Sequence, residues 1–199
     1  MEYLTYADVS LTNRLECLMA MGVKVYYHQG HSWAIPESGD MVRVGIDDFA
    51  QKLVGRIDAI TCPPIGSEVT QGKKGWTLLV DSKSLDMLSP VDGTVVDVNE
   101  NLLSAPEMIS GDPYGQSWVM KVQAPNLSAN LKRLLSGGTA RKWMEEVSAN
   151  LLSRANYHLG PVSQDGGVPV DGIARGLDRE RWDEIAREFL LSSEIPLPR

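Results

Sequence analysis

Cysteine is scarce in this chain. Its two cysteines, Cys17 and Cys62, stand far apart with no metal-ligand spacing. That pattern fits reduced thiols in a cytoplasm and not a disulfide framework. Histidine is equally thin: His28 and His31 make one close pair, His158 is remote, and no third ligand for zinc lies nearby. Long apolar runs are missing, none approaching the ~20 residues that a membrane span requires. The opening MEYLTYADVSLTNRLEC has neither the basic start nor the continuous apolar stretch of a signal peptide. Lysine and arginine do not cluster, and the net charge is −7. Duplex binding needs such clusters to displace counterions from phosphates. No Ser/His/Asp or Cys/His arrangement can be argued from spacing, so an enzyme is disfavoured. The expectation is a soluble cytoplasmic protein without a metal that binds neither nucleic acid nor membrane.

Turn chemistry is what the chain has in quantity. Between residues 32 and 123 the runs MVRVGI, GRIDAITC, GWTLLVD, GTVVDV and SWVMKV are separated by ESGD, PPIGSE, QGKK, SPVDG and GDPYG. Short strands with Gly and Pro turns every eight to twelve residues predict a β sandwich or barrel. Residues 47–54 predict a brief helix with an Asp cap and Phe49, Leu53 and Val54 buried. Gly55-Arg-Ile57-Asp-Ala-Ile60 and Gly93-Thr-Val95-Val-Asp-Val98 share a glycine followed by spaced apolar residues, which suggests two related β units.

The flanks read as helical. Leu11, Leu15, Leu18 and Met19 predict a helix over 10–22, followed by a strand over 23–27. Leu127, Leu131, Leu134 and Leu135 predict another helix, broken by Gly137-Gly138. Thr139 then caps a helix that buries Ala140, Trp143, Val147 and Leu151. Residues 155–176 read as loop, and a last helix from Asp178 presents Trp182, Ile185, Ala186 and Phe189.

One segment raises a chemical question. Trp76 to Val80 rises and Ser84 to Leu88 descends, so Ser82-Lys83 is expected at the tip of a β-hairpin. By position alone Lys83 is a solvated turn residue.

The surrounding motifs say more. His31-Ser-Trp33, Val44-Gly-Ile-Asp-Asp-Phe-Ala-Gln51, Leu53-Val-Gly55, Pro64-Ile-Gly66-Ser-Glu-Val69, Ser89-Pro-Val-Asp-Gly93-Thr-Val95, Val98-Asn99 and Asp112-Pro-Tyr-Gly115 run in one uninterrupted order. Together they resemble the glycine cleavage system H protein family over roughly residues 27–150. The resemblance implies a mainly β barrel-sandwich hybrid of the lipoyl- or biotinyl-carrier type, with additional α-helices at both termini. It divides the chain into an N-terminal helical extension (1–26), the β domain (27–125), a helical cap (126–154) and a C-terminal extension with a final helix (155–199). It implies a carrier and not an enzyme, with lipoate in amide linkage on a hairpin lysine. The arm would shuttle aminomethyl or acyl groups between protein partners. Those partners would be glycine decarboxylase, aminomethyltransferase, dihydrolipoamide dehydrogenase and the lipoate ligase that loads the arm.

On this reading Lys83 is the lipoyl attachment candidate, and Asp81, Ser82 and Ser84 are what a modifying enzyme reads at the tip. The sequence departs from the family's pattern here. The family has a Glu three residues before the lysine, and the lysine seven before the Ser of Ser-Pro. Here Asp81 is two before Lys83, and Lys83 is six before Ser89. Anchored on Ser-Pro, the family's lysine position falls on Ser82. Removing one residue from each arm would keep Ser82-Lys83 at the tip of a shorter hairpin. The alternative is a degenerate relative that keeps the fold and acts as a binding or assembly module. A biotin carrier is disfavoured because methionines do not flank the lysine.

Other constellations read more simply as structure. His31 with Trp33 fits a strand edge, Asp47-Asp48 a helix cap, and Glu145-Glu146 a solvated helix face. Gln164-Asp165-Gly166-Gly167 with Asp171-Gly172 matches neither an EF-hand nor a P-loop, and so reads as a turn. The C-terminal helix carries a large apolar payload, which either packs on the β domain or docks a partner.

Overall fold

Alternating side chains decide which face of each strand turns inward. Strand β3 (Met41–Ile46) buries Val42 and Val44, and β7 (Lys83–Leu88) buries Leu85 and Met87. The computed structural model describes residues 22–159 and 172–192, with side chains of the long helix described to residue 154. The remaining strands are β1 (Tyr26–Tyr27), β2 (Ser32–Pro36), β4 (Ala59–Thr61), β5 (Glu68–Val69), β6 (Lys74–Val80), β8 (Gly93–Val98), β9 (Met120–Gln123) and β10 (Leu135–Ser136). Seven of them form one sheet in the order β10-β1-β2-β3-β9-β8-β5, and three form a second in the order β4-β6-β7. The neighbouring strands pair antiparallel. Val42, Val44, Val95 and Val122 of the first sheet share one core with Leu78, Leu85 and Met87 of the second. The two related β units are split between the sheets, β4 in one and β8 in the other. This is the mainly β, sandwich-type architecture that the strand-and-turn texture predicts.

The motifs turn out to be fold-making turns. Asp47 caps α1 (Asp48–Val54) by accepting the Ala50 amide at 2.8 Å. Asp112 of DPYG accepts the amides of Gly115 and Gln116, both at 2.9 Å, and delivers Tyr114 into the core. In SPVDG, Gly93 has φ +152°, and a Cβ there would lie 2.1 Å from the Gln123 carbonyl oxygen. Only glycine lets β8 approach β9 this closely. Asn99 caps α2 (Glu100–Ser104), which leads into a short 3-10 helix, Pro106–Ser110.

Past β9 the structure departs from the sequence reading in three places. The helix α3 (Leu127–Leu131) ends early, and Leu135–Ser136 form β10 on the edge of β1. The next helix, α4 (Gly137–Leu159), takes in Gly137-Gly138 ahead of the Thr139 cap expected from sequence. Gly137 takes φ +53°, which turns the chain off β10, and Thr139 bonds Ser136 within the first turn. The stretch expected to be loop holds the end of α4 and a further helix, α5 (Ile173–Leu177). The final helix is present as α6 (Trp182–Phe189). The strand expected over 23–27 is only Tyr26–Tyr27. The helix expected over 10–22 lies outside the described residues, Gly22 excepted, and so does the loop 164–171.

Candidate functional site: the Lys83 hairpin and its cover

Strands β6 and β7 pair Thr77 with Asp86, Leu78 with Leu85, Leu79 with Ser84 and Val80 with Lys83. The two residues left over are Asp81 and Ser82, at φ +46° and +64°. Both lie in the left-handed region, as in the type I′ turns that match strand twist in two-residue hairpins. The tip is therefore Asp81-Ser82 and not Ser82-Lys83. The expected tip was one residue late because it took no account of backbone conformation. Asp tolerates left-handed φ through its short polar side chain, and Asp58 secures it by accepting the Asp81 amide at 2.8 Å.

This register decides where Lys83 points. Directly paired residues share a face, and faces alternate along a strand. Lys83 thus continues the inward row of Leu85 and Met87, opposite the buried Val80. Ser84 and Asp86 lie on the other face. At the end of the sheet the inward row runs past the core, and there the C-terminal segment meets it.

That segment supplies ion pairs to both ends of the turn. Arg175 Nε lies 3.0 Å from Asp81 Oδ2, and the Arg175 guanidinium stacks 4.8 Å over the Trp182 ring. Lys83 Nζ lies 3.6 Å from Asp183 Oδ2. Arg187 reaches the same oxygen at 2.5 Å and donates from its other arm to the Ser84 carbonyl oxygen at 3.0 Å. The Asp183 side chain is 8% exposed, whereas that of Lys83 is 50% exposed. Below these contacts α6 is packed by Trp182, Ala186 and Leu190, and Phe189 meets Phe49 of α1 at 5.6 Å. Arg154 of α4 forks onto Glu188 at 2.5 and 2.7 Å, holding the Glu188 carboxyl below the usual range. The final helix packs on the β domain.

Sequence reasoning missed Arg175, Asp183 and Arg187. The signal was present: Asp183 lies one residue from Trp182 and four before Arg187, a carboxylate and a guanidinium flanking an apolar face. The other candidates are structural. His31 is buried, donates from Nδ1 to Asp47 Oδ2 at 2.8 Å, and stacks between Phe49 and Trp143 at 4.2 and 4.8 Å. His28 accepts the Gly30 amide, and burial followed by the His31 charge lowers its pKa. Among the described residues no cluster of His, Cys, Asp and Glu is arranged to hold a metal, and no helix is long and apolar enough to cross a membrane.

Two open antiparallel sheets around one core, with a lysine-bearing hairpin projecting from the smaller, define a carrier-type β domain. Comparison with known proteins makes this specific. The family model "Glycine cleavage H-protein" matches residues 25–147. The glycine cleavage system H protein of Carboxydothermus hydrogenoformans is 38% identical over 120 residues, covering 60% of this chain and 91% of that protein. A probable glycine cleavage system H protein of Thermococcus gammatolerans is 35% identical over 123 residues, covering 62% and 91%. A crystal structure of the H protein from Mycobacterium marinum superposes with a TM-score of 0.53 at 26% identity, covering 62% of this chain and 95% of that one. The chain belongs to the glycine cleavage H-protein family. Its members are carrier proteins and not enzymes, and lipoate bound covalently to a lysine is their cofactor. The α5–α6 segment lies beyond the matched region.

Lys83 is the one lysine between Trp76 and Ser89. Among the described residues its half-exposed side chain has a single carboxylate neighbour, at 3.6 Å. An amine so placed fits an amide-linked arm once that ion pair opens.

Proposed function

We propose that Lys83 is the attachment point of the lipoyl arm, and that Asp81, Ser82 and Ser84 form the surface a lipoate ligase reads around it. The observation that carries this reading is a half-exposed amine on the first residue past a two-residue turn, at the projecting end of the smaller sheet. The bound group would supply a dithiolane that accepts and releases cargo. The chain's own part is positioning. The type I′ turn holds the attachment point away from the core, and the long lysine stem adds reach. The partners that follow are the decarboxylating, aminomethyl-transferring and dihydrolipoamide-oxidising proteins of glycine cleavage. In this reading residues 27–154 form the carrier unit and 155–199 an appended piece.

A second reading, a scaffold of the same fold without an arm, is favoured by one specific observation. Ser82 holds the second turn position, and that is where the family's lysine falls when the chain is anchored on Ser89-Pro90. Intact mass after co-expression with a lipoate ligase and lipoate separates the two. One stoichiometric adduct, absent from Lys83→Ala, supports the carrier. An unmodified chain, under conditions that load an ordinary H protein, with loading restored by Ser82→Lys, supports the scaffold.

A further inference from the structure

We infer that the α5–α6 segment is a latch on the hairpin that opens when Lys83 loses its charge. The segment touches the hairpin through groups whose charges matter. Arg175 meets Asp81 on one side of the turn, and Asp183 meets Lys83 on the other. Asp183 is the buried member, and its carboxylate is balanced by two cations, Arg187 of its own helix and Lys83 of β7. A buried carboxylate depends on its cations more than they depend on it. Among the described residues, removing the Lys83 charge leaves Asp183 with Arg187 alone and takes away an ion pair that ties α6 to β7.

Acylation removes that charge. The Lys83 ammonium first gives one proton to water, and its lone pair then attacks an activated acyl carbonyl. A C–N bond forms, the leaving group departs with its bonding pair, and a second proton goes to solvent. The amide product is neutral. The two states of Lys83 therefore differ in affinity for the latch, and the coupling is reciprocal. Whatever free energy the Lys83–Asp183 contact lends the closed latch is absent once the amide has formed, so the α6 contacts are looser after acylation. In this way the extension keeps the hairpin covered before modification and uncovers it afterwards.

The inference rests on the ion pairs and not on the identity of the acyl group. The test uses the full chain and acetic anhydride as the probe. Substoichiometric acetylation is followed by peptide mass spectrometry, with the exposed Lys73 as internal standard. Lys83 of Asp183→Asn is expected to react about two- to fivefold faster than in the wild type, the size of a half-exposed ion pair. Asp183→Glu, which restores the charge, is expected to bring the rate back. In the reverse direction, Lys83→Gln is expected to speed hydrogen exchange of residues 182–190 by about the same factor, while exchange in β3 and β9 stays as it was. Equal Lys83 reactivity in the wild type and Asp183→Asn overturns the inference. So does unchanged α6 exchange in Lys83→Gln, and so does acceleration spread evenly over the whole chain. A chain that never accepts lipoate still gives these readouts, so failure of the latch and failure of lipoylation remain distinct results.

Discussion

Asn130 donates from Nδ2 to Asp92 Oδ2 at 2.6 Å, and its Oδ1 accepts the Asp92 amide at 3.2 Å. This reciprocal pair ties the SPVDG turn to α3, and Asp92 Oδ1 also accepts the Gln71 amide at 2.8 Å. The Gln71 and Asn130 bonds, helped by the Arg133 charge, hold the Asp92 carboxyl below its ordinary pKa of 3.8. A depressed folded-state pKa contributes stability that is fully present above the unfolded value and is lost as pH falls through the folded one. Asn130→Ala is expected to raise the Asp92 pKa toward 3.8, so that the share of the acid-induced loss of stability due to Asp92 shrinks. It should also cost about 1 kcal/mol at neutral pH, since hydrogen bonds to partly buried partners are lost. An NMR titration of Asp92 and urea midpoints from neutral to strongly acidic pH check both. An Asp92 titration unmoved in Asn130→Ala would count against this account.

Buried histidine and aspartate should behave differently from the exposed pairs. His31 and Asp47 are both essentially inaccessible, and Asp47 also caps α1 through the Ala50 amide. Asp47→Ala removes the cap and orphans His31 at once. The expected loss is roughly 3–5 kcal/mol. Arg141→Ala, which touches the exposed i,i+4 pair to Glu145, should cost under about 0.5 kcal/mol. Guanidinium unfolding of the two variants tests this ranking. Similar midpoints would refute it.

Cys62 is partly buried, and burial pushes its thiol up to about 11. Only the thiolate is nucleophilic. In a Cys17→Ser background, Cys62 is expected to react with a neutral alkylating reagent at pH 8 about a hundredfold more slowly than an unshifted thiol, and to accelerate steadily with pH up to that value. A rate half-maximal near pH 9 would show the thiol to be unshifted.

How much of this could be read from the sequence differs between frame and site. SPVDG answers to Gln123 and Asn130 far along the chain, but VGIDDFAQ and DPYG are local: a side chain caps an amide three or four residues on. Their physics is contained in the motif, so the frame was legible. The hairpin tip was not, because choosing between Ser82-Lys83 and Asp81-Ser82 turns on which two residues take positive φ. The pairing of Val80 with Lys83 settles that only in three dimensions. The cover was least legible of all. Asp183 and Arg187 are close in sequence, but their target Ser84 lies 103 residues from Arg187, and no local pattern announces a contact at that separation. The β10 strand escaped for a related reason. Leu135–Ser136 fits a helix by spacing and becomes strand only because the edge of β1 is open beside it.

Gly93 gives a direct test of the frame. Its φ of +152° is costly for any side chain, and an alanine Cβ would fall 2.1 Å from the Gln123 carbonyl oxygen and 2.8 Å from a Val122 methyl. Neither neighbour can retreat without breaking the β8–β9 ladder. Gly93→Ala is expected to lose at least about 2 kcal/mol from strain and displaced packing. Gly39→Ala has a left-handed φ but nothing within 4 Å, so it should lose only the conformational part, about 1 kcal/mol. Thermal midpoints of the pair decide the matter, and a smaller loss at Gly93 than at Gly39 would sink the close-approach account.

The turn itself can be improved, and the improvement distinguishes turn geometry from turn contacts. Ser82 sits at φ +64° and, among the described residues, makes no bond that replaces what this conformation costs a side chain, whereas Asp81 is held through Asp58 and Arg175. Ser82→Gly creates Asp-Gly, the pairing that type I′ hairpins favour, and is expected to stabilise the chain by ~1 kcal/mol. Asp81→Gly relieves similar strain but removes the Arg175 ion pair, so its net effect should lie near zero or below. Urea midpoints of the two variants, with the β6–β7 amides followed by hydrogen exchange, measure the difference. If Ser82→Gly destabilises the hairpin while Asp81→Gly does not, the tip is not Asp81-Ser82, and Lys83 regains the turn position expected from sequence.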